Sequence, residues 1–359
     1  MERYQNIKNS INNAKYIKII FPENPSNDIV GSVLALHSMF KQLDKDVFLL
    51  EERLPQRAKN FLTENKRKIM ITLNEDIDEI YYEKKGSHVD LNIVPKNRNF
   101  DTKNFSWEIV SEKTNNQQKI NQMPDLILII GIARFNEVEK FLPTDEEELF
   151  ACTIVNIDNN PNNENYGDIN VIEKSSLSKI ISFLVRETKN HNLKDVFDFL
   201  LFGFFSQDKI SLKDLSAIKW LINNGASLNI WFEYQKEKRP LWADYLEFAI
   251  KNISIREDVG IIFSHLKYNE EIKDNEKVKN ILQVSKIFRE WIGQTFFLSF
   301  RDEEKTKTIF YSPLSSTVNE IREKYNGSFK DTGGIIVTPH EDPVKAIEEL
   351  KKFNYKTTQ

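Results

Sequence analysis

The sequence predicts an α/β protein: a doubly wound, mostly parallel sheet with an antiparallel β insertion, a helical connector and a second, smaller α/β domain. The first 50 residues have the order strand, loop, helix and strand, which is typical of a parallel βαβ crossover. Residues 125–132 contain a continuous apolar run, as expected for a central strand buried on both faces. At 359 residues the chain is long enough for two domains. We expect the first over 1–225, the connector over 226–255 and the second over 256–359.

The first α/β unit begins with an amphipathic helix that runs into a strand predicted at 16–21. A polar loop with two prolines follows, and apolar residues then recur at helical spacing over 29–43 before a second strand at 47–50. Asp28 lies where the loop meets the helix. We therefore expect Asp28 to be the helix N-cap, with metal ligation as the alternative.

Residues 51–121 differ from this pattern, because apolar and polar residues alternate and Gly86-Ser87 signals a turn. We interpret them as an antiparallel β insertion that ends in a flexible, Asn- and Gln-rich linker. The remaining elements are expected as strands at 125–132 and 153–157, helices within 176–225, a helix at 241–252, an apolar run at 260–266, strands at 296–300 and 308–311, a helix at 315–325, a strand at 335–338 and a closing helix at 343–353.

Charge and composition exclude several classes of function. The 50 basic and 54 acidic side chains give a net charge of -4 and a sequence pI near 5.9. This balance argues against binding nucleic acid or an anionic membrane with the whole surface, but it allows a local basic groove. No apolar run approaches the length of a membrane span, and the start of the chain does not have the pattern of a signal peptide. We expect a cytoplasmic protein with no membrane partner.

General catalytic motifs are missing from the sequence. Cys152 is the single cysteine, so it can form neither an internal disulfide nor a thiolate metal cage. The 5 histidines have no zinc-site spacing. No Walker loop, dinucleotide fingerprint or Gly-x-Ser-x-Gly elbow occurs.

A series of loop segments is nevertheless specific in order and spacing. The segments are 22–28 followed by Gly31-Ser32, Asp158-Asn159-Asn160-Pro161, 165–170, 206–209 and 326–334. They resemble the motif loops of the DHH phosphoesterase family, which includes nano-RNases, phosphoadenosine-phosphate phosphatases and RecJ-type exonucleases. The last segment resembles the Gly-rich loop of the companion DHHA-type domain. The resemblance covers most of the chain apart from the insertion.

The resemblance implies phosphate-ester hydrolysis with two manganese or magnesium ions, whose mutual repulsion requires several carboxylate and imidazole ligands. At the expected ligand positions stand Pro22, Ser26, Gly131, Asn159 and Gln207. Only Asp28 keeps a carboxylate, and neutral side chains cannot offset the repulsion between two dications. The sequence therefore predicts a pseudoenzyme with no catalytic residue, no metal ligand and no cofactor.

The ligand implied by the resemblance is a nucleotide or short single-stranded nucleic acid, held in a cleft between the two domains at the carboxyl ends of the strands. The candidate binding residues are Asp28, Asp158, Asn159, Asn160, Arg301, Lys330, Gly333 and Gly334. Each group also has a structural interpretation. The Asp and Asn residues can brace their own loop, the Gly pair can form a tight turn, and the basic residues can lie on a solvated surface.

Three functions remain open at this stage. The chain is a catalytically inactive relative that binds a nucleotide or nucleic acid, or it is a protein-interaction module whose partner is a second copy or an active relative. In the third alternative it is a metal-dependent phosphoesterase with relocated ligands. The carboxylates that keep the third alternative open are Glu23, Asp28, Asp158, Asp168 and Glu173.

Overall fold

The computed structural model describes residues 2–62, 67–73, 77–85, 88–96, 105–111, 123–143, 145–186, 193–266, 276–302 and 305–352. The chain divides into two compact units. Lys59–Ile120 forms one, and Met1–Ala58 together with Asn121–Gln359 forms the other. None of the helices within the described ranges combines the length and the apolar character needed to cross a membrane.

The bounds of the elements follow the chain in order. The helices are α1 (Glu2–Asn13), α2 (Asn27–Gln42), α3 (Gln56–Leu62), α4 (Glu146–Ala151), α5 (Leu177–Arg186), α6 (Lys194–Phe205), α7 (Leu212–Asn223), α8 (Asn229–Gln235), α9 (Trp242–Lys251), α10 (Lys277–Ile292), α11 (Ser315–Lys324) and α12 (Pro343–Lys351). The strands are β1 (Tyr16–Ile20), β2 (Asp46–Leu49), β3 (Arg67–Leu73), β4 (Ile77–Lys85), β5 (His88–Pro95), β6 (Phe105–Ser111), β7 (Leu126–Ile130), β8 (Thr153–Asp158), β9 (Ile169–Ile172), β10 (Ser254–Arg256), β11 (Ile261–Leu266), β12 (Thr295–Asp302), β13 (Lys305–Tyr311), β14 (Gly327–Lys330) and β15 (Gly333–Thr338).

The N-terminal part of the larger unit is built on a five-stranded parallel sheet of order β2-β1-β7-β8-β9. Its central strand β7 is buried at every position, as the apolar run predicts. The C-terminal part is a mixed six-stranded sheet of order β10-β11-β12-β13-β15-β14. The α/β fold class with two different sheets is therefore confirmed.

The insertion is antiparallel, as predicted. Strand β3 pairs with β6, and β4 pairs with β5, in antiparallel ladders within the smaller unit. The predicted turn at Gly86-Ser87 and most of the predicted linker lie outside the described residues.

Three elements of the C-terminal part were not predicted: β10, α10 and β14. The buried residues of α10, Ile281, Val284 and Phe288, have the spacing of one helical face. Strand β14 occupies part of the segment expected to be a Gly-rich loop, where it forms an antiparallel hairpin with β15. Helix α10 packs against α9, which lies more than 20 residues earlier in the chain, so the local composition of α10 alone is a weak signal.

The backbones of α2 and α6 approach each other closely near Asp28. A Cβ atom at Gly31 would lie 2.6 Å from the Phe199 carbonyl oxygen. A Cβ atom at Gly203 would lie 2.0 Å from Ser178 Oγ on α5 and 3.3 Å from Asp28 Oδ1 on α2. Because only glycine leaves this space, the two positions allow three helices to meet at Asp28.

Candidate functional site

The motif positions of the first half meet at the carboxyl edge of the parallel sheet. Pro22 follows β1, Gly131 follows β7 and Asn159 follows β8, and parallel neighbours end at the same edge. A pocket of about 510 Å³ opens here. Its lining residues are Pro22, Glu23, Asn24, Arg53, Ile132, Asn136, Glu137 and Lys140. We refer to it as the strand-end pocket.

Asp28 does not cap its own helix, and the N-cap prediction for this residue is wrong. The N-cap of α2 is Ser26, whose Oγ accepts a hydrogen bond from Ile29 N–H at 3.4 Å. Asp28 lies in the first turn, and its carboxylate points to the N-terminus of another helix, α5. It accepts hydrogen bonds from Leu177 N–H at 2.8 Å, from Ser178 N–H at 2.9 Å and from Ser178 Oγ at 2.5 Å.

Burial of the Asp28 carboxylate raises its pKa above the ordinary value, and the three hydrogen bonds oppose this effect. These donors are the otherwise unsatisfied N–H groups of a helix N-terminus, where a negative charge is also favoured by the helix dipole. Both carboxylate oxygens are therefore used to fix α5 against α2.

Gly131 and Gln207, two positions where the resemblance implies a ligand, have different surroundings. Gly131 adopts φ +69°, and a Cβ atom there would lie 2.9 Å from Ile29 Cδ1 and 3.3 Å from Leu177 Cδ1. Apolar side chains thus occupy the space next to this position. Gln207 is half-buried at the end of α6, and its buried Nε2 has no hydrogen-bond partner among the described residues.

Asp158 is 2% exposed and braces the loop that follows β8. Its Oδ1 accepts from Asn159 N–H at 2.7 Å and from Asn160 N–H at 3.2 Å. Its Oδ2 accepts from Asn163 Nδ2 at 2.8 Å. This arrangement is an Asx turn, the structural interpretation that the sequence left open beside a functional one.

The side chains of Asn159 and Asn160 are exposed, so they do not form the centre of a buried turn as one interpretation of the sequence expected. The buried asparagine at the centre of this turn is Asn163, which is 7% exposed. It donates to Ile132 O at 3.0 Å and accepts from Asn156 Nδ2 at 2.7 Å. The role of Asn163 was not predicted, because asparagine is so frequent in this loop that the sequence does not distinguish one from another.

Arg53 was also missed. It follows β2, and only 8% of its side chain is exposed. The guanidinium donates to the Phe21 carbonyl and lies 4.1 Å from the centre of the Phe141 ring. The available signal was a basic residue in the loop that follows β2, the strand next to β1. Arg53 supplies a fixed positive charge in the strand-end pocket.

Glu23 counters the positive charges of this pocket. Its Oε1 lies 3.6 Å from Arg53 and 3.4 Å from Lys140 Nζ. The Glu23 side chain is 68% exposed, so these ion pairs are weak and Glu23 can move away at small cost. Of the two cations, Arg53 is held in the pocket by its other contacts, whereas Lys140 is 62% exposed.

The candidate residues of the C-terminal part lie on the mixed sheet. Arg301 is exposed near the end of β12, and Lys330 is exposed at the end of β14. Gly333 and Gly334 begin β15 and pair with strands on both sides, β13 and β14. A Cβ atom would lie 2.3 Å from Phe310 O at Gly333 and 2.3 Å from Ser328 O at Gly334. The Gly pair therefore has a structural task in the hairpin, and a ligand role for these four residues stays a prediction.

A pair of metal ions does not fit this donor set. Asp28 and Asp158 have their oxygens bonded to the chain's own N–H and O–H groups. The other candidate carboxylates have separate partners: Glu23 pairs with Arg53 and Lys140, Asp168 accepts from Ile154 N–H, and Glu173 accepts from Tyr4 Oη. Within the described ranges, no group of three His, Cys, Asp or Glu side chains is placed to hold an ion.

No protein-family model matches the chain, and no curated protein matches it. Solved structures do. The chain is 14% identical to an exopolyphosphatase-related protein from Bacteroides fragilis, with a TM-score of 0.42 over 97% of this chain and 95% of that one. It is 11% identical to a putative family II inorganic pyrophosphatase from Methanococcus jannaschii, with a TM-score of 0.31 over 89% and 93%.

The third structure is RecJ from Thermus thermophilus in complex with Mn²⁺, which is 10% identical with a TM-score of 0.29. The alignment covers 98% of this chain and 53% of RecJ. At these identities and TM-scores, none of the three supplies a function. RecJ is one of the proteins whose motif loops this sequence resembles.

Proposed function

We propose that this protein is a non-hydrolysing relative of the DHH phosphoesterases that binds a phosphate-bearing ligand, a nucleotide or a short single-stranded nucleic acid, at the carboxyl edge of its parallel sheet. The observation that supports the absence of hydrolysis is the hydrogen bonding of the Asp28 and Asp158 carboxylates. Asp28 and Asp158 accept hydrogen bonds from buried donors of the chain itself. Recruiting either one to a metal would leave those donors unsatisfied, at a cost of about 1–3 kcal/mol for each group.

Without a bridging metal, a phosphate needs cationic and amide donors. The strand-end pocket offers Arg53 and Lys140, and the exposed amides of Asn159 and Asn160 follow the neighbouring strand β8. Arg53 suits this task because its guanidinium can donate two parallel hydrogen bonds to phosphate and is already held in place. Arg301, Lys330, Gly333 and Gly334 would contact the rest of the ligand from the second domain.

Glu23 would regulate access of the anion to this pocket. The Glu23 carboxylate occupies the same two cations that a phosphate would use. Binding therefore requires Glu23 to swing into solvent, which its 68% exposed side chain permits. Charge-assisted contacts of this type weaken as salt rises, since screening shortens the range of the attraction.

The binding half is tested by isothermal titration of inorganic pyrophosphate, AMP and a five-nucleotide oligothymidylate in the presence of EDTA. We expect saturable binding that weakens with salt, a gain in affinity of several-fold in Glu23→Gln and a loss of about tenfold in Arg53→Gln. Lys41→Gln is the matched control, because Lys41 is exposed in the last turn of α2, at the opposite end of that helix from Asp28. Flat titrations with all three probes would overturn the binding half.

The non-hydrolysing half is tested separately. We expect no manganese-dependent cleavage of short oligonucleotides or of phosphoadenosine phosphate. Turnover that rises with manganese and disappears in Asp28→Asn would overturn this half. Turnover that the same substitution leaves unchanged would indicate a contaminating enzyme.

A second candidate is a protein-interaction module that partners a second copy or an active relative. Two observations favour it: the insertion is a compact unit of its own, and the Phe150 side chain on α4 is 87% exposed. Sedimentation of the full chain tests the self-association form. A concentration-dependent dimer that Phe150→Ser dissociates would support this candidate, whereas a monomer at all concentrations would leave only a different partner.

A further inference from the structure

A second pocket of about 210 Å³ lies away from all the motif loops, where α6, α8, α9 and α10 meet. Five of its lining side chains are aromatic: Phe205, Trp231, Phe232, Trp242 and Trp291. Three of the 5 tryptophans of the chain thus converge on one small cavity. We refer to it as the aromatic pocket.

The rings of the aromatic pocket form a cage and not a stack. Phe205 and Trp291 have ring centroids 4.2 Å apart and planes at 80°. Trp231 and Phe232 are 4.8 Å apart at 88°, and Phe232 and Trp242 are 5.6 Å apart at 65°. Walls that meet at such steep angles enclose a compact, rounded group better than a flat one. The volume is also below the roughly 300–1,000 Å³ of pockets for drug-sized ligands, so the occupant is small.

The charge at this pocket favours a cation. Among the described residues that line it, Glu290 is the one with an acidic or basic side chain. Its ion pair with Lys286 is 3.9 Å long and both side chains are more than half exposed, so Lys286 does little to neutralise it. The faces of aromatic rings are also electronegative, and tryptophan attracts a cation most strongly. Carboxylate and rings therefore select the same sign of charge.

We infer that the aromatic pocket binds a small organic ammonium ion of the quaternary alkylammonium class. Such an ion is rounded and weakly hydrated, so it loses little on entering an apolar cage and gains cation–π attraction from several rings. A nucleotide is a poorer candidate, although bases stack on aromatic side chains, because the described lining includes no basic residue and Glu290 repels phosphate. The inference does not depend on the function proposed for the strand-end pocket.

The test compares two ligands of nearly identical shape that differ in charge. Choline carries a quaternary ammonium, and 3,3-dimethylbutan-1-ol is its neutral carbon isostere. Titrations of the full chain are followed by intrinsic tryptophan fluorescence and by calorimetry. We expect choline to bind about tenfold more tightly than the isostere. Equal affinities, or no saturable binding of choline, would overturn the inference.

Variants separate the contribution of charge from that of the rings. Glu290→Gln changes an exposed side chain, so the fold is retained; it should weaken choline several-fold and leave the isostere unchanged. Trp291→Leu should abolish binding of both ligands. Trp220→Leu is the matched control, since Trp220 contacts Phe197 and Arg186 outside this pocket and its loss should leave both affinities unchanged. An unchanged choline affinity in Glu290→Gln and Trp291→Leu together would place the ligand elsewhere and overturn the inference.

Discussion

The Asp28 carboxylate reaches from the first turn of α2 to the first N–H groups of α5, residues that are 149 and 150 positions away in sequence. The same chemical properties that make a carboxylate a metal ligand, two oxygens and a negative charge, also suit it to a helix N-terminus. Asp158 shows the same change of role within one loop, where it binds the next two N–H groups of the chain. At the residue scale, these two carboxylates therefore have a structural role.

The role of Asp28 predicts a large loss of stability on truncation. Asp28→Ala leaves the Leu177 and Ser178 N–H groups and the Ser178 hydroxyl without their acceptor in a largely buried place. We expect the free energy of unfolding to fall by about 2–4 kcal/mol in urea denaturation. Ser26→Ala is the control, because its capping bond is 3.4 Å long and its loss should cost less than about 1 kcal/mol. Equal effects of the two substitutions would contradict this account.

Asp198 predicts a pH dependence of stability. It is 5% exposed on α6 and accepts a hydrogen bond from Ser227 N–H at 2.6 Å. Burial raises its pKa from 3.8 to about 6. Because the folded state holds the proton more tightly than the unfolded state, stability falls as the pH rises from about 4 to about 6 and then levels off.

Asp198→Asn keeps the oxygen that accepts from Ser227 and removes the charge. We expect it to raise the free energy of unfolding by about 1–3 kcal/mol at pH 7 and by almost nothing at pH 4. Urea midpoints measured across this range test the prediction. Asp195→Asn, on the exposed side of the same helix, should not show the same pH-dependent gain. A gain in Asp198→Asn that is constant with pH would exclude a titrating Asp198.

At the scale of elements, glycines decide how closely backbones approach. Gly31 and Gly203 let α2 and α6 meet near Asp28, and Gly334 lets β14 and β13 lie on either side of β15. For the segment that forms this hairpin, the resemblance implied a Gly-rich loop that binds the ligand. The register instead pairs Gly333 with Tyr311 and Lys330, and Gly334 with Phe310 and Phe329. The hairpin therefore gives the Gly pair a structural role in addition to the proposed contact with a ligand.

The hairpin predicts that Gly334→Ala is a stability mutation. Its Cβ would lie 2.3 Å from the Ser328 carbonyl oxygen, and backbone cannot move away as a flexible side chain can. We expect a loss of about 1–3 kcal/mol in the free energy of unfolding and an unchanged pyrophosphate affinity of the folded protein. Gly293→Asn tests the difference between space and conformation: at φ +63° with nothing near its Cβ, asparagine should cost less than about 1 kcal/mol. If Gly334→Ala lowered the pyrophosphate affinity without lowering stability, the structural role of Gly334 would be contradicted.

At the scale of the whole molecule, we expect the larger unit to be stable without a bound metal. A site for two dications concentrates carboxylates whose mutual repulsion the bound ions relieve. Here Asp28 and Asp158 are satisfied by the chain, and Gly131 is packed against apolar side chains. Nothing in this arrangement requires a dication to hold the loops together.

Chelation should therefore leave the melting temperature unchanged. If a metal were bound at a concentration 100-fold above its dissociation constant, its removal would cost about 2.7 kcal/mol and lower Tm by several degrees. We expect a shift of less than about 1 °C in EDTA by differential scanning fluorimetry. Added manganese should not raise Tm above that of the EDTA sample. A drop in EDTA that manganese alone reverses would show that a structural metal is present.

Much of this molecule follows from local sequence. The βαβ unit, the buried strand β7, the antiparallel insertion and the second sheet are confirmed, because the spacing of apolar residues sets which face of each element is buried. The absence of side-chain ligand atoms at Pro22 and Gly131 also follows from the sequence, since neither residue has a side-chain oxygen, nitrogen or sulfur that could bind a cation in any fold.

Tertiary structure alone decided what the remaining polar residues do. Periodicity shows that a residue faces inward, but not which distant donor lies opposite it. Three features join parts of the chain that are far apart in sequence. Asp28 accepts from α5, Arg53 donates to the Phe21 carbonyl, and three tryptophans from α8, α9 and α10 line one pocket. Such partners are set by how helices pack on each other and on the sheet; near Asp28, for example, Gly31 and Gly203 allow a close backbone approach that no local pattern encodes.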